Sequence, residues 1–131
     1  MNGLPVDHIA VATPDLEEAI RLYERMTGAR SSPVEEIPSQ GVRIAFVGGV
    51  ELLEPLSPAS TVARFLDRNG PGLHHIAYRT EDIRSELARL SEAGFQLIDA
   101  EPRPGAGGHL VAFLHPRSTG KVLVELVQHS S

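Results

Sequence analysis

Asp7-His8-Ile9-Ala10-Val11 recurs, at an offset of 67, as His74-His75-Ile76-Ala77-Tyr78. At the same offset Thr13-x-Asp15 falls on Thr80-x-Asp82, and Gly28 falls within one residue of Gly94. Further out, Val42-Arg43-Ile44-Ala45-Phe46-Val47 resembles Leu110-Val111-Ala112-Phe113-Leu114. Val50-Glu51-Leu52-Leu53 matches Val124-Glu125-Leu126-Val127 at an offset of 74, the added residues falling in the glycine-rich loop and turn between Pro102 and Gly120. Self-similarity at a fixed offset marks a repeated structural unit.

Between these landmarks each copy reads as a helix. In the first, Thr13 suits the N-cap and Pro14 the first helical position. Asp15, Glu17 and Glu18 favour the positive end of the helix dipole. Leu16, Ile20, Tyr23 and Met26 keep helical spacing and Gly28 stops the run. In the second, Thr80 caps, Ile83, Leu87 and Leu90 form the apolar stripe, and Gly94 ends it. Each copy is thus strand, helix, then short strands: an α+β chain of two tandem βαβββ units. Ser57-Pro58 is expected to open a short bridging helix through Val62, Phe65 and Leu66, which Asn69-Gly70-Pro71-Gly72 breaks. The expected division is 1–69, the first unit with the bridging helix, and 70–131, the second, in one compact domain.

Composition narrows the function. At 131 residues and 41% hydrophobic, the chain can bury an ordinary globular core. No apolar run reaches the ~20 residues of a membrane span. Residues 1–15 carry no basic stretch ahead of an apolar one, so no signal peptide is expected and the cytoplasm is the expected compartment. The absence of cysteine removes thiolate metal sites and cysteine nucleophiles. A net charge of −5, no Lys/Arg run and only 5% aromatics argue against a nucleic-acid partner.

Four residues occupy two repeat-equivalent positions. His8 and His75 lie in the first strand of each copy, Glu51 and Glu125 in the last. Side chains alternate along a strand, so Val122, Val124 and Leu126 share one face and Glu125 points to the other with Leu123 and Val127. A carboxylate centred in such a run is costly to bury without a partner. If the units pair about a pseudo-twofold axis, the four positions converge. Two imidazoles with two carboxylates make a sound site for a first-row divalent metal. A lone strand histidine is more often a hydrogen-bonded core residue, and a lone Glu125 could be an edge charge; the joint pattern is what favours a metal.

The other candidates read differently. His74 should face away from His75 and is structural. His115, in Leu114-His115-Pro116, either lines the site or caps the turn. His129 is expected to be a solvent-exposed tail residue, Glu54 a loop charge, and Glu35 and Glu36 a solvated edge. Gly105-Ala106-Gly107-Gly108-His109 could bring backbone N–H groups to an anion, with Arg103 and Lys121 as nearby positive charge, or be a plain turn.

Across nearly its whole length the chain resembles the methylmalonyl-CoA epimerases. The carrying residues are Asp7-His8-Ile9-Ala10, Gln40-Gly41-Val42, Glu51-Leu52-Leu53-Glu54-Pro55-Leu56, Gly72-Leu73-His74-His75-Ile76-Ala77, Ile98-Asp99-Ala100-Glu101-Pro102, Phe113-Leu114-His115-Pro116 and Val122-Leu123-Val124-Glu125-Leu126. The resemblance implies the vicinal-oxygen-chelate, or glyoxalase-like, fold, a cupped mixed sheet around a metal site. It implies interconversion of (2R)- and (2S)-methylmalonyl-CoA in propionate metabolism, an acyl-CoA thioester substrate, a homodimer, and one divalent ion (cobalt, manganese, nickel, zinc or iron). The family's metal positions match His8, Glu51, His75 and Glu125. Glu125 and Glu51 are the expected proton-transfer groups, one for each face of the enolate. Some epimerases are thought to use a glutamate just after the Gln-Gly-Val motif; Ile44 stands there in this chain, which leaves Glu51, or a nearby histidine such as His115, for the second face. The alternatives are a lactoylglutathione lyase and a non-catalytic ligand-binding relative.

Overall fold

The computed structural model describes residues 3–130; residues 1, 2 and 131, at the outer ends of the expected units, lie outside the described residues. The elements are β1 (Val6–Ala12), α1 (Leu16–Thr27), β2 (Glu35–Ile37), β3 (Val42–Val47), β4 (Val50–Pro55), α2 (Thr61–Asn69), β5 (Gly72–Arg79), α3 (Ile83–Glu92), β6 (Arg103–Pro104), β7 (Leu110–Leu114) and β8 (Val124–Gln128). The βαβββ order occurs twice, with α2 in the bridging segment. Two compact units result: Ile9–His74 forms one, and the residues up to His8 together with those from His75 onward form the other.

Within Ile9–His74 the strands run β2-β3-β4-β1. β1 lies parallel to β4 with Ala10 opposite Glu51, and β3 lies antiparallel to β4 with Phe46 opposite Glu51. Leu16 of α1 packs on Ala45, Val47 and Leu52. In the other unit the order is β5-β8-β7-β6. β5 lies parallel to β8 with Ala77 opposite Glu125, and β7 antiparallel to β8 with Phe113 opposite Glu125. Ile83, Leu87 and Leu90 of α3 pack on Ala112, Leu114 and Leu126. The two cores thus use repeat-equivalent residues, each large side chain contributing on the order of 1.5–3 kcal/mol when fully buried.

Both helices start later than Thr13 and Thr80 suggested. Asp15 and Asp82 are the N-caps, accepting from the backbone N–H of Glu18 and Ser85 at 3.1 Å. The threonine hydroxyls instead accept from the N–H of Asp15 and Asp82, at 3.1 and 3.3 Å, which closes a turn ahead of each helix and leaves Pro14 outside it. α2 likewise opens at Thr61, capped by Ser60, rather than at Ser57-Pro58. Met26, expected on the buried stripe of α1, is 63% exposed, so the stripe closes at Tyr23.

A second layer of the repeat ties each helix to its unit's last strand. The Leu16 N–H donates to Glu54 Oε2 at 2.8 Å, and the Ile83 N–H donates to Gln128 Oε1 at 2.8 Å. Glu54 also pairs with Arg43 at 2.7 Å, so it is a helix anchor rather than a loop charge. The spacing explains both tasks. Glu51 and Glu54 are an odd number of residues apart, as are Glu125 and Gln128, so in each strand the two side chains leave by opposite faces. One face of the strand holds the helix and the other is free to present a carboxylate. Gly41, in the Gln-Gly-Val motif, has φ +68°, and a Cβ there would meet Ser60 Cβ at 3.0 Å, which is why glycine stands there.

Candidate metal centre

His8, near the middle of β1, and His75, in β5, are 7% and 6% exposed. Glu125, on β8, is 3% exposed. The parallel register puts Glu125 opposite Ala77, two residues beyond His75 on the same strand face, so the carboxylate reaches back towards that imidazole. His75 Nε2 lies 3.5 Å from Glu125 Oε1 and His8 Nε2 lies 3.2 Å from the same oxygen. The two rings meet edge to face at 5.9 Å. Phe113, opposite Glu125 on β7, packs edge-on against His75 at 5.2 Å and closes that side.

The electrostatics follow from burial and contact. Burial pushes the Glu125 carboxyl up, but hydrogen bonds and charge from His75 and His8 outweigh it and hold it at about 2, so it is ionised. His8 is braced from behind: its Nδ1 lies 2.7 Å from Asp7 Oδ2. A carboxylate can only accept, so His8 Nδ1 carries a proton towards Asp7, while Nε2 is directed at Glu125. Burial raises Asp7 too, yet its bonds to His8 and His129 hold it below the usual carboxylate range. Two imidazole nitrogens and an ionised carboxylate oxygen therefore converge in a buried position. A carboxylate-braced histidine is the arrangement that orients a metal ligand. This donor set fits a first-row divalent ion.

Glu51 lies in the other unit, 6% exposed on β4 between Ala10 and Phe46. Its position in the register matches that of Glu125 between Ala77 and Phe113. His74 packs its ring on Phe65 at 4.9 Å, as its strand position required. His115 takes the capping option: its Nδ1 accepts from the Arg117 N–H at 3.0 Å. Glu35 and Glu36 are exposed on β2. Arg103 lies 3.5 Å from Asp99 and over the Phe113 ring at 5.8 Å, while Lys121 is exposed in a turn with φ +73°.

His129 differs from expectation. It is not a free tail residue: its Nε2 donates to Asp7 Oδ1 at 2.6 Å, and its ring stacks on His109 with centroids 4.2 Å apart. Asp7 was also missed, because adjacent strand residues face opposite ways and a contact between Asp7 and His8 is not expected from strand geometry. The repeat held one clue, since Asp7 answers to His74 and is the acidic member of an otherwise matched pair.

A family model of the Glyoxalase/Bleomycin resistance protein/Dioxygenase superfamily matches residues 7–113. The chain therefore belongs to that superfamily, consistent with its paired βαβββ units. It is 41% identical over 129 residues to the ethylmalonyl-CoA/methylmalonyl-CoA epimerase of Cereibacter sphaeroides, covering 94% of this chain and 96% of that protein. It is 38% identical over 128 residues to the mitochondrial methylmalonyl-CoA epimerase of Homo sapiens, covering 94% of this chain and 73% of that one. A solved structure of a Streptomyces coelicolor methylmalonyl-CoA epimerase variant, in complex with 2-nitronate-propionyl-CoA, superposes with a TM-score of 0.94 at 35% identity, covering 98% and 97% of the two chains. Within the superfamily, the chain belongs to the methylmalonyl-CoA epimerase family.

Proposed function

We propose that this protein interconverts (2R)- and (2S)-methylmalonyl-CoA by removing the α-proton at one face and returning one at the other. The observation that carries the proposal is the convergence of His8 and His75 on the buried, ionised Glu125 in a chain of this family. His8, His75, Glu125 and Glu51 would hold one divalent ion. Glu51 enters by register: Ala77↔Glu125 brings Glu125 to the histidine two residues before Ala77, and Ala10↔Glu51 repeats that relation for His8. When bound, the ion supplies Lewis-acid stabilisation for the charge that develops as the α-proton leaves.

The chain's own groups move the protons. Glu125 held by both histidines is too weak a base for an α-proton. Turned away from them it keeps its burial, which raises its proton affinity towards the range a base near neutral pH needs. Glu51 serves the opposite face. Ile44, where some relatives carry a glutamate, is 1% exposed on β3 and paired with Glu35 of β2, so no proton is handled there. Homodimeric assembly and a place in propionate metabolism belong to the same proposal on the family resemblance.

The test is one epimer in deuterated water with the wild type, Glu51→Gln and Glu125→Gln. The wild type should epimerise with deuterium at the α-carbon. Each variant should lose epimerisation by about 10²–10⁴-fold. Each should retain α-exchange for only one epimer, the opposite one in the two cases. Full epimerisation by Glu51→Gln would remove Glu51 from the second face.

A further inference from the structure

Asp7 offers two oxygens and both are occupied. Oδ2 takes His8 Nδ1 at 2.7 Å and Oδ1 takes His129 Nε2 at 2.6 Å, across 122 residues of chain. The Asp7 side chain is 15% exposed, so a single bond to His8 would leave the carboxylate free to turn towards water. Held at both oxygens, it is fixed in plane and direction. His129 is itself held. Its ring stacks on His109 with an interplanar angle of 18°. The Ser130 N–H and the Ser130 hydroxyl lie 2.9 and 3.2 Å from His109 Nδ1. His109 follows the turn at Ala106–Gly108, so the chain end is fastened to the glycine loop next to His129.

We propose that His129 is a positioning residue for the metal centre: with His109 behind it, it locks Asp7, which holds His8 in the Nδ1–H form with Nε2 directed at Glu125. His129 acts through Asp7 on the direction and basicity of one ligand, the part that an outer-sphere carboxylate plays at metal-binding histidines. The two copies differ here, because the repeat-equivalent of Asp7 is His74, which packs on Phe65. The glycine-loop turn thereby gains a structural task independent of anion binding.

This inference rests on the metal reading above, and its test separates the two. Nitrogen NMR of ¹⁵N-histidine-labelled, chelator-treated protein should show His8 Nδ1 protonated in the wild type and in His129→Gln, whose amide can still donate to Asp7. A mixture is expected in His129→Ala. Cobalt(II) titration followed by visible absorption should show affinity weakened about 10–100-fold in Asp7→Ala and several-fold in His129→Ala, with recovery in His129→Gln. In the Asp7→Ala background, His129→Ala should add nothing, whereas a merely structural histidine would weaken both backgrounds alike. A His129→Ala protein with unchanged His8 Nδ1 protonation and cobalt affinity within about twofold of wild type, or equal losses in both backgrounds, would overturn the inference. Wild-type protein that binds no cobalt would overturn the metal reading instead, and the protonation of His8 Nδ1 would still decide the part played by His129.

Discussion

Replacing Glu54 tests whether the last strand of each repeat anchors its helix through one side chain. In Glu54→Ala the Leu16 N–H, at the first turn of α1 beside a side chain with no exposed surface, loses its acceptor. An unsatisfied buried donor costs about 1–3 kcal/mol. Loss of a negative charge at a helix N-terminus adds about 0.3–1 kcal/mol. Glu54 is itself only 17% exposed, so water replaces it poorly and a total of about 2 kcal/mol is expected. With a urea m-value of about 1–3 kcal/mol/M, the unfolding midpoint should fall by about 1 M. Glu54→Gln copies what the second repeat already uses at Gln128 and should recover more than half of the loss. Gln128→Ala removes a neutral acceptor and should cost about 1 kcal/mol. Equilibrium urea unfolding followed by far-UV circular dichroism measures all three. Since Glu54 and Gln128 leave their strands on the face opposite Glu51 and Glu125, epimerase turnover below the transition should be unchanged. If Glu54→Gln were as costly as Glu54→Ala, or Gln128→Ala cost nothing, the anchor argument would fail.

Leu126→Ala empties a position 2% exposed beneath α3 and should cost about 3 kcal/mol, lowering the calorimetric midpoint by roughly 10 °C; a loss under ~1 kcal/mol would contradict the packing. Arg43→Ala should lower the urea midpoint less than Glu54→Ala does, because the guanidinium also faces water and the exposed Glu17; an equal loss would make the ion pair, not the helix anchor, the main role of Glu54. Glu125 has its folded pKa depressed from 4.5 to about 2, so in chelator-treated protein it contributes stability above pH ~4.5 that is lost as pH falls towards about 2. Acid unfolding at fixed urea should therefore be steeper across that window for wild type than for Glu125→Gln, and parallel curves would be the contrary result.

Much of this was legible because strand alternation and a fixed offset are local signals. The β1 and β5 histidines, the β4 and β8 carboxylates and the paired cores around Leu16 and Ile83 all follow from the repeat. The helix starts were missed by two residues because Thr and Asp are both good caps. The spacing Asp15-x-x-Glu18, that of a capping box, pointed to Asp15. Glu54 and Gln128 could not be read as anchors, since their partners lie 38 and 45 residues away. His129 is further still from Asp7, and no periodicity links a tail residue to the strand at the other end of the chain. Contacts of that range are fixed by how strands and turns come together, which the pattern of apolar residues does not encode.

The most direct test is metal-dependent inversion. Protein stripped by chelator, then reloaded with one divalent ion at a time, is given (2R)-methylmalonyl-CoA in deuterated water while proton NMR follows the α-carbon. The account predicts no conversion in the stripped protein. It predicts (2S) product carrying α-deuterium after reloading with at least one ion, and neither inversion nor a bound stoichiometric ion in His75→Ala. Inversion at full rate in the stripped protein or in His75→Ala, or none with any ion, would contradict it.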